Sequence, residues 1–100
     1  MANRNVPNVV DTQSSDKSRA FRCHLLIARD EEGGYSAIVL NLPGAGSCGD
    51  TEEIAIENAR EAIAGVLESY LEADEEIPWV DSSAEEIPTG AKHLWITVNA

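Results

Sequence analysis

Residues 33–50 read GGYSAIVLNLPGAGSCGD, and this stretch decides the fold. Gly33 and Gly34 supply the positive φ angles that a tight reversal of the chain needs. Residues 35–40 are rich in side chains that a pleated sheet accepts, and residues 21–29 before the glycines alternate in the same manner. The stretch therefore predicts a β-hairpin.

A second reversal follows the hairpin. Pro43 has a fixed φ and no N–H to donate to a sheet, and Gly44 suits the left-handed position of a turn. A third short strand is expected at residues 45–49. Asp50 is expected to cap the helix that follows, with Glu53 three residues later in an acidic variant of the capping box.

Residues 51–73 form the clearest single element in the sequence. Apolar residues recur three and four positions apart, the spacing of an amphipathic helix with one buried face. They are Ile54, Ala55, Ala59, Ala62, Ile63, Val66, Leu67, Tyr70 and Leu71. Gly65 interrupts this helix and is interpreted as a point of close approach.

The two outer segments complete the sheet. Residues 21–29 alternate with a wholly apolar row on one side, and residues 93–98 alternate similarly. The order is β-β-β-α-β, an α+β fold with one long helix on one face of the sheet. A right-handed crossover through the helix is expected to bring the last strand beside the first and parallel to it.

The order and spacing of these pieces resemble the N-terminal domain of the HicB family of type II antitoxins. The matching pieces are an acidic-Gly-Gly-aromatic turn, Leu-Pro-Gly, Gly-Asp-Thr, a long helix and Ile-Pro, at residues 30–35, 42–44, 49–51, 53–71 and 77–78. The resemblance implies a partial ribonuclease H-like fold. It also implies a protein partner, HicA, a small basic RNA-cleaving toxin. Longer members carry a C-terminal DNA-binding domain, for which the residues after Glu76 offer no match.

Charge is concentrated in one part of the chain. The net charge is −11, and residues 50–76 hold ten acidic residues against the single basic residue Arg60, a net −9. A surface this acidic repels phosphates, so direct binding of nucleic acid is not expected. Several carboxylates repeat at i,i+4 or lie near the helix C-terminus, where they disfavour the helix. This placement favours a basic partner, and solubility alone remains the alternative.

Length and composition predict one domain at residues 21–100 after a flexible extension at residues 1–20. No apolar run is long enough to span a membrane, and no signal peptide is recognisable, so a cytoplasmic protein is expected. Cys23 and Cys48 are expected to be reduced and buried.

No residue pattern predicts catalysis. Metal-dependent hydrolysis of a phosphodiester requires several converging carboxylates to hold the metal ions. The first strand has none. Cys23 and His24 are adjacent on a strand and point to opposite faces, so they cannot form a nucleophile–base pair. We expect neither an enzyme, nor a cofactor, nor a metal site.

Apolar side chains also fall on the face of the sheet away from the helix. Leu26, Ala28, Ile38 and Leu40 belong to this set, or Tyr35, Ala37 and Val39 if the second strand is turned over. A second copy of the chain is expected to cover that face in a dimer or tetramer. The alternative is that residues 77–90 fold over it.

The sequence thus leads to a protein-binding antitoxin that neutralises a HicA-type toxin. The alternative is a solitary oligomeric scaffold or regulatory domain, and the third hypothesis is an enzyme relic that retains metal binding. The residues expected to bind the partner are Glu57, Glu61, Glu68 and Glu72 of the helix, with Tyr35 and Trp79 as aromatic anchors.

Overall fold

The computed structural model describes residues 19–100 as a four-stranded sheet with one helix against it. The elements are β1 (Ala20–Arg29), β2 (Tyr35–Val39), β3 (Gly46–Gly49), α1 (Glu52–Glu72) and β4 (Lys92–Asn99). The strand order is β3-β2-β1-β4, and every neighbouring pair is antiparallel. The predicted α+β fold with β-β-β-α-β order is confirmed.

The loop between β1 and β2 uses its two glycines differently. Gly33 has a φ of 103°, which an L side chain rarely adopts. Gly34 has no positive φ, and an added Cβ there would lie 3.1 Å from the carbonyl oxygen of Gly49. The first glycine therefore makes the turn, while the second gives the backbone of β3 room to approach.

The second reversal is a hydrogen-bonded β-turn. The amide of Ala45 donates to the carbonyl of Leu42 across Pro43 and Gly44, at 3.3 Å. Gly44 has a φ of 86°, which the third position of a type II turn requires. Pro43 precedes it at the position where a fixed φ is favourable, as the sequence predicted.

The helix cap lies one residue later than predicted. Thr51, and not Asp50, is the N-cap of α1, because its backbone is extended and its hydroxyl accepts a 3.1 Å hydrogen bond from the amide of Ile54. The position three residues after Thr51 is Ile54, so no capping box forms. Glu52 and Glu53 lie in the first turn, where carboxylates complement the helix dipole.

The core lies between α1 and one face of the sheet, here called the inner face. Ala55, Ala59, Ile63 and Leu67 are spaced four apart on α1 and are fully buried. They pack against Cys23, Leu25, Ile27, Ala37, Val39, Ile96 and Val98 of the inner face. The backbone of β3 comes very close to the start of α1 at Ala55. An added Cβ on Gly49 would lie 2.6 Å from the Ala55 nitrogen. Gly65, in contrast, has open space around it, so the predicted close approach there is wrong.

The direction of β4 differs from the prediction. It pairs with β1 as expected, but antiparallel, with Phe21 opposite Val98 and Leu25 opposite Leu94. The reason is the connection between α1 and β4, residues 73–91. An extended chain gains about 3.3 Å per residue, so this segment is long enough to travel the length of the sheet before β4 starts. A direct crossover from the helix would have given the parallel pairing.

The described residues begin just before β1, which starts at Ala20, one residue earlier than expected. Residues 1–18, most of the predicted flexible extension, lie outside the described part of the chain. Both cysteines are free thiols. Cys23 is buried as predicted, but Cys48 is exposed, because it lies on the edge strand β3 with its side chain away from α1.

Candidate functional site

The acidic residues of α1 form a stripe on its solvent side. Glu57, Glu61, Glu68 and Glu72 fall within about 60° of one another around the helix and extend over about 22 Å of its length. The stripe is centred opposite the buried row of Ala55 to Leu67. Glu57, Glu61 and Glu72 are exposed, and Glu68 is half-buried and has an interaction partner. We call these four residues the acidic stripe.

The single basic residue of α1 does not neutralise the acidic stripe. The Arg60 guanidinium reaches across to the edge of the sheet and donates to the Thr97 carbonyl of β4. At the helix N-terminus, Glu52 pairs with Lys92 at 2.7 Å between Oε2 and Nζ. Glu52 at the N-terminal end is thus paired with a cation, and the last turn of α1 carries no basic side chain.

The C-terminus of α1 carries the negative end of the helix dipole, which adds to the negative charge of the acidic stripe. The amide of Asp74 donates to Leu71 and that of Glu75 to Tyr70, the two hydrogen bonds of a Schellman motif. Asp74 occupies the left-handed position of this motif with a φ of 57°, where glycine is usual. An anionic side chain therefore stands at the negative end of the helix dipole.

The two aromatic residues expected to anchor a partner do not lie together. Tyr35 is half-buried and is opposite Arg29 at one end of β1, with the guanidinium 5.8 Å from the ring centroid. Trp79 is 37% exposed and stacks at 6.0 Å on Phe21, near the other end of β1. Eight residues of strand separate Arg29 from Phe21, about 26 Å. Neither ring belongs to the acidic stripe.

The face of the sheet away from α1, here called the outer face, is partly covered. Alternation along the strands places Leu26, Ile38 and Trp95 on it, and Ile38 and Trp95 remain 48% and 46% exposed. Part of the connection does reach this face, since Ser82 is buried there against β1. Residues 77–90 therefore fold over one region of the face, as one of the two alternatives expected, and an apolar region stays open. Coverage by a second copy stays a prediction.

Ser82 belongs to a cluster that we call the histidine cluster: His24, His93, Ser82 and Trp95. The imidazole of His24 is at its centre and is only 5% exposed. Its Nδ1 lies 2.7 Å from the Ser82 hydroxyl, and its Nε2 lies 2.9 Å from Nδ1 of His93. The Trp95 indole stacks on the His24 ring, with centroids 4.5 Å apart and planes 7° from parallel.

The surroundings of His24 favour its neutral form. Burial lowers the pKa of His24 below its usual 6.5, and the neighbouring His93 lowers it further. The Glu85 carboxylate acts in the opposite direction and offsets part of this shift. Arg22 lies with its guanidinium 5.2 Å from the Trp95 centroid, on the same face.

Asn41 ties the histidine cluster to the backbone. Its Oδ1 accepts from the His24 amide at 2.9 Å, its Nδ2 donates to the Arg22 carbonyl at 3.1 Å, and its own carbonyl accepts from the Val80 amide at 3.1 Å. The Asn41 side chain thus takes the place of a strand partner for β1 just after β2 ends. It also holds the connection.

Sequence reasoning missed both Asn41 and the histidine cluster. Alternation alone puts His24 on the outer row of β1, and His93 shares its row with Trp95. The signal was therefore present, but the antiparallel register that brings these side chains together was not predicted.

The hydrogen bonds from Ser82 to His24 and from His24 to His93 resemble those between a catalytic nucleophile and its base. The Ser82 hydroxyl, however, is not exposed as a nucleophile would have to be. Ser82 is only 4% exposed, so its hydroxyl is buried in this conformation. Among residues 19–100, no group of three His, Cys, Asp or Glu side chains is placed to hold a metal ion. Within that same range, no helix is long and apolar enough to cross a membrane.

Comparison with known proteins gives the geometry a context. Residues 24–98 match a family model described as the HicB_like antitoxin of bacterial toxin-antitoxin systems. A UPF0150 protein of Thermoplasma acidophilum is 39% identical over 67 residues, which are 67% of this chain and 94% of that protein. Antitoxin HicB 1 of Photorhabdus laumondii is 44% identical over 48 residues, 48% of this chain and 31% of that antitoxin.

Two solved structures share the fold. The N-terminal domain of the Burkholderia pseudomallei antitoxin HicB superposes with a TM-score of 0.62 at 28% identity, covering 80% of this chain and 98% of that domain. The larger structure of the same antitoxin gives 0.60 at 30% identity, covering 80% of this chain and 63% of that one. This chain therefore spans a domain of those antitoxins and about a third of the Photorhabdus protein.

Proposed function

Because the chain belongs to the HicB-like antitoxin family, we propose that it binds a small basic RNA-cleaving toxin of the HicA type and neutralises it by direct contact. The observation that carries this proposal is the acidic stripe of α1. It faces solvent along the helix, and Arg60, the only basic side chain of α1, is bound to β4 instead. No chemistry on the antitoxin is needed, because occupation of the toxin is sufficient.

The acidic stripe suits such a partner in both length and sign. A row of carboxylates about 22 Å long provides a field that attracts a basic surface from a distance and accelerates association at low salt. The three exposed members, Glu57, Glu61 and Glu72, are free to meet Lys or Arg side chains of the toxin. Glu68 lies in the same row and contributes to the same field.

Tyr35 and Trp79 are proposed as separate contributors. Since about 26 Å separates the strand positions they contact, a single small patch of a toxin cannot cover both. A toxin that lies along the acidic stripe would extend toward both ends of the sheet and so toward both aromatic residues. Trp79, the more exposed ring, is the stronger aromatic anchor in this arrangement.

A matched pair of charge reversals tests the role of the acidic stripe. The variant Glu57→Lys/Glu61→Lys is compared with Glu31→Lys/Glu32→Lys, which makes the same change in net charge at the exposed β1–β2 loop. Binding to a HicA-type toxin whose catalytic histidine has been replaced is measured by titration calorimetry at two salt concentrations. We expect the stripe variant to lose roughly tenfold or more in affinity at low salt, and the loop variant to change little. Equal effects of the two variants would remove the acidic stripe from the mechanism.

A second function, self-association without a toxin, is favoured by the outer face. Ile38 and Trp95 expose large apolar surfaces side by side with Leu26 on a sheet, an arrangement typical of an interface between copies. Native mass spectrometry of the wild type and of Ile38→Lys measures it. Ser69→Lys on α1, also exposed, is the control for the added charge. We expect a dimer or tetramer that Ile38→Lys dissociates and Ser69→Lys leaves intact.

The two functions are compatible, since the acidic stripe and the outer face lie on opposite sides of the molecule. Co-expression with a candidate toxin separates them. A toxin that remains lethal in the presence of this protein, while the protein still forms its oligomer, would support the solitary scaffold and contradict the antitoxin.

A further inference from the structure

Residues 80–85 of the connection between α1 and β4 are held in place mainly through two polar contacts, whereas Ile77, earlier in the connection, packs against the core. Ser82 bonds to His24 of the outer face, and the Val80 amide bonds to the Asn41 carbonyl. Trp79, just before them, stacks instead on Phe21 of the inner row of β1. Around these contacts the segment is exposed, with Asp81, Ser83 and Glu85 in solvent. Its attachment to the outer face therefore depends strongly on the hydrogen bond between Ser82 and the buried His24 ring.

Both nitrogens of the His24 ring are engaged in hydrogen bonds. Only one proton can occupy the 2.9 Å space between Nε2 of His24 and Nδ1 of His93. In the neutral cluster, either His93 donates to His24 and His24 donates to Ser82, or the Ser82 hydroxyl donates to His24 and His24 donates to His93. Both patterns keep both hydrogen bonds of the His24 ring.

The histidine cluster accepts one additional proton without losing a contact. A protonated His24 donates from Nδ1 to the Ser82 oxygen and from Nε2 to the lone pair of a neutral His93. A second proton places N–H groups on both facing nitrogens, which removes the hydrogen bond. It also puts two positive rings 5.1 Å apart.

The other groups around the pair do not remove this conflict. Arg22 of β1 is a third cation on the same face, beside the Trp95 ring of β4. Among residues 19–100, Glu85 of the connection is the carboxylate that acts on His24, and it is exposed to solvent. Asn41 contacts only the backbone of His24 and does not titrate. Lys92 is engaged with Glu52 of α1.

We propose that the His24–His93 pair is a proton-sensitive fastener, which holds residues 80–85 on the outer face at neutral pH and releases them when both rings are protonated. The second proton leaves the buried Nε2–H of His24 facing another cation without an acceptor, and displacement of the segment that covers this ring lets water replace the lost partner. The released segment would uncover the ring of His24 beside the exposed apolar residues Ile38 and Trp95. Acidification would thereby enlarge the open part of the outer face while the core between α1 and the inner face stays formed. This inference does not depend on the toxin partner.

The lowered pKa of His24 agrees with the geometry, since the burial and the neighbouring ring that cause it are the same contacts that the second proton disrupts.

Hydrogen exchange followed by NMR on the full chain tests the proposal. The protection factor of the Val80 amide, which divides out the pH dependence of intrinsic exchange, reports attachment of the segment, and the Ile63 amide of the buried helix row reports the core. We expect Val80 protection to fall by roughly tenfold between about pH 7.5 and about pH 4.5, the equivalent of one hydrogen bond, while Ile63 protection persists. Following the imidazole Cε1–H signals in the same samples shows whether Val80 protection is lost when the second ring of the pair is protonated.

Two variants decide between a titrating fastener and a merely structural contact. In His93→Gln the side-chain amide accepts from a protonated His24 at any pH, so Val80 protection should no longer depend on pH. In Ser82→Ala the segment lacks its contact with the ring, so Val80 protection should already be low at neutral pH. Retained protection in the wild type at acid pH, the same loss of protection in His93→Gln, or unchanged protection in Ser82→Ala would each overturn the proposal.

Discussion

The His24 imidazole lies parallel to the Trp95 indole at 4.5 Å, on the face of the sheet that α1 does not cover. The stacking buries a titratable ring in a small protein whose other described histidine, His93, is exposed. Because the folded protein favours the neutral form of His24, the free energy of unfolding depends on pH. The lowered pKa of His24 determines whether stability rises or falls with pH.

Stability should fall as the pH drops below the ordinary histidine range. The folded chain holds His24 with a pKa below 6.5, so near and below pH 6.5 the unfolded chain binds more protons. The stability contributed by neutral His24 is therefore complete above 6.5 and is lost as the pH falls toward the lowered folded pKa. Urea unfolding at about pH 7.5 and about pH 5.5, above the range where carboxylates titrate, measures it. His24→Gln should flatten this dependence, and a slope that survives in this variant would assign it to other groups.

Asn41→Ala should be among the most damaging polar substitutions. The change removes two hydrogen bonds to the backbone of β1 and leaves the His24 amide and the Arg22 carbonyl without partners, a loss of about 2–3 kcal/mol of unfolding free energy. Asn58→Ala is the matched control, because it removes one exposed hydrogen bond to the Cys48 carbonyl. It should cost about 1 kcal/mol or less. Equal losses in chemical denaturation would show that burial of Asn41 is unimportant.

The same substitution at two glycines should have opposite effects. Gly49→Ala would place a Cβ 2.6 Å from the Ala55 nitrogen and 2.7 Å from Ile54 Cγ2, and the backbone must move, which costs about 1–3 kcal/mol. Gly65→Ala meets open space in the middle of α1 and should stabilise the protein by about 0.5–1 kcal/mol. Thermal melting of the two variants gives the comparison. Destabilisation by Gly65→Ala would indicate a contact on that side of the helix.

Asp74→Gly should stabilise the protein by about 1 kcal/mol. The substitution relieves a left-handed backbone at an L residue and removes an anion from the negative end of the helix dipole. Asp74→Asn separates the two causes, since asparagine keeps the side-chain shape and tolerates the left-handed region without the charge. Glu76→Gly, which removes a neighbouring charge at an exposed position without a positive φ, should not stabilise. The measurement is the midpoint of urea unfolding for the three variants.

The sequence predicted the parts of the fold that local rules determine. The buried row of α1 follows from the spacing of Ala55, Ala59, Ile63 and Leu67, and the turn at Pro43 follows from the φ angles that its residues permit. These features need only neighbours in the sequence. The N-cap was misplaced by one residue because Asp50 and Thr51 are both good caps, and only the hydrogen bond to Ile54 distinguishes them.

The parts that could not be predicted depend on the path of residues 73–91. Prolines and acidic residues show that this segment is irregular, but not that it returns along the sheet and reverses β4. That reversal sets the register that joins His24 with Trp95 and brings His93 beside them. The acidic stripe was identified from sequence because it lies on one helix, whereas the histidine cluster joins three distant segments.

The pairing of Phe21 with Val98 has a consequence for synthesis. β1 is a central strand, and until β4 has left the ribosome one whole edge of it has no hydrogen-bond partner and the core lacks Ile96 and Val98. The hairpins and α1 depend on nearer contacts and can form earlier. A nascent chain is therefore expected to wait, partly folded and with an open sheet edge, for its last strand.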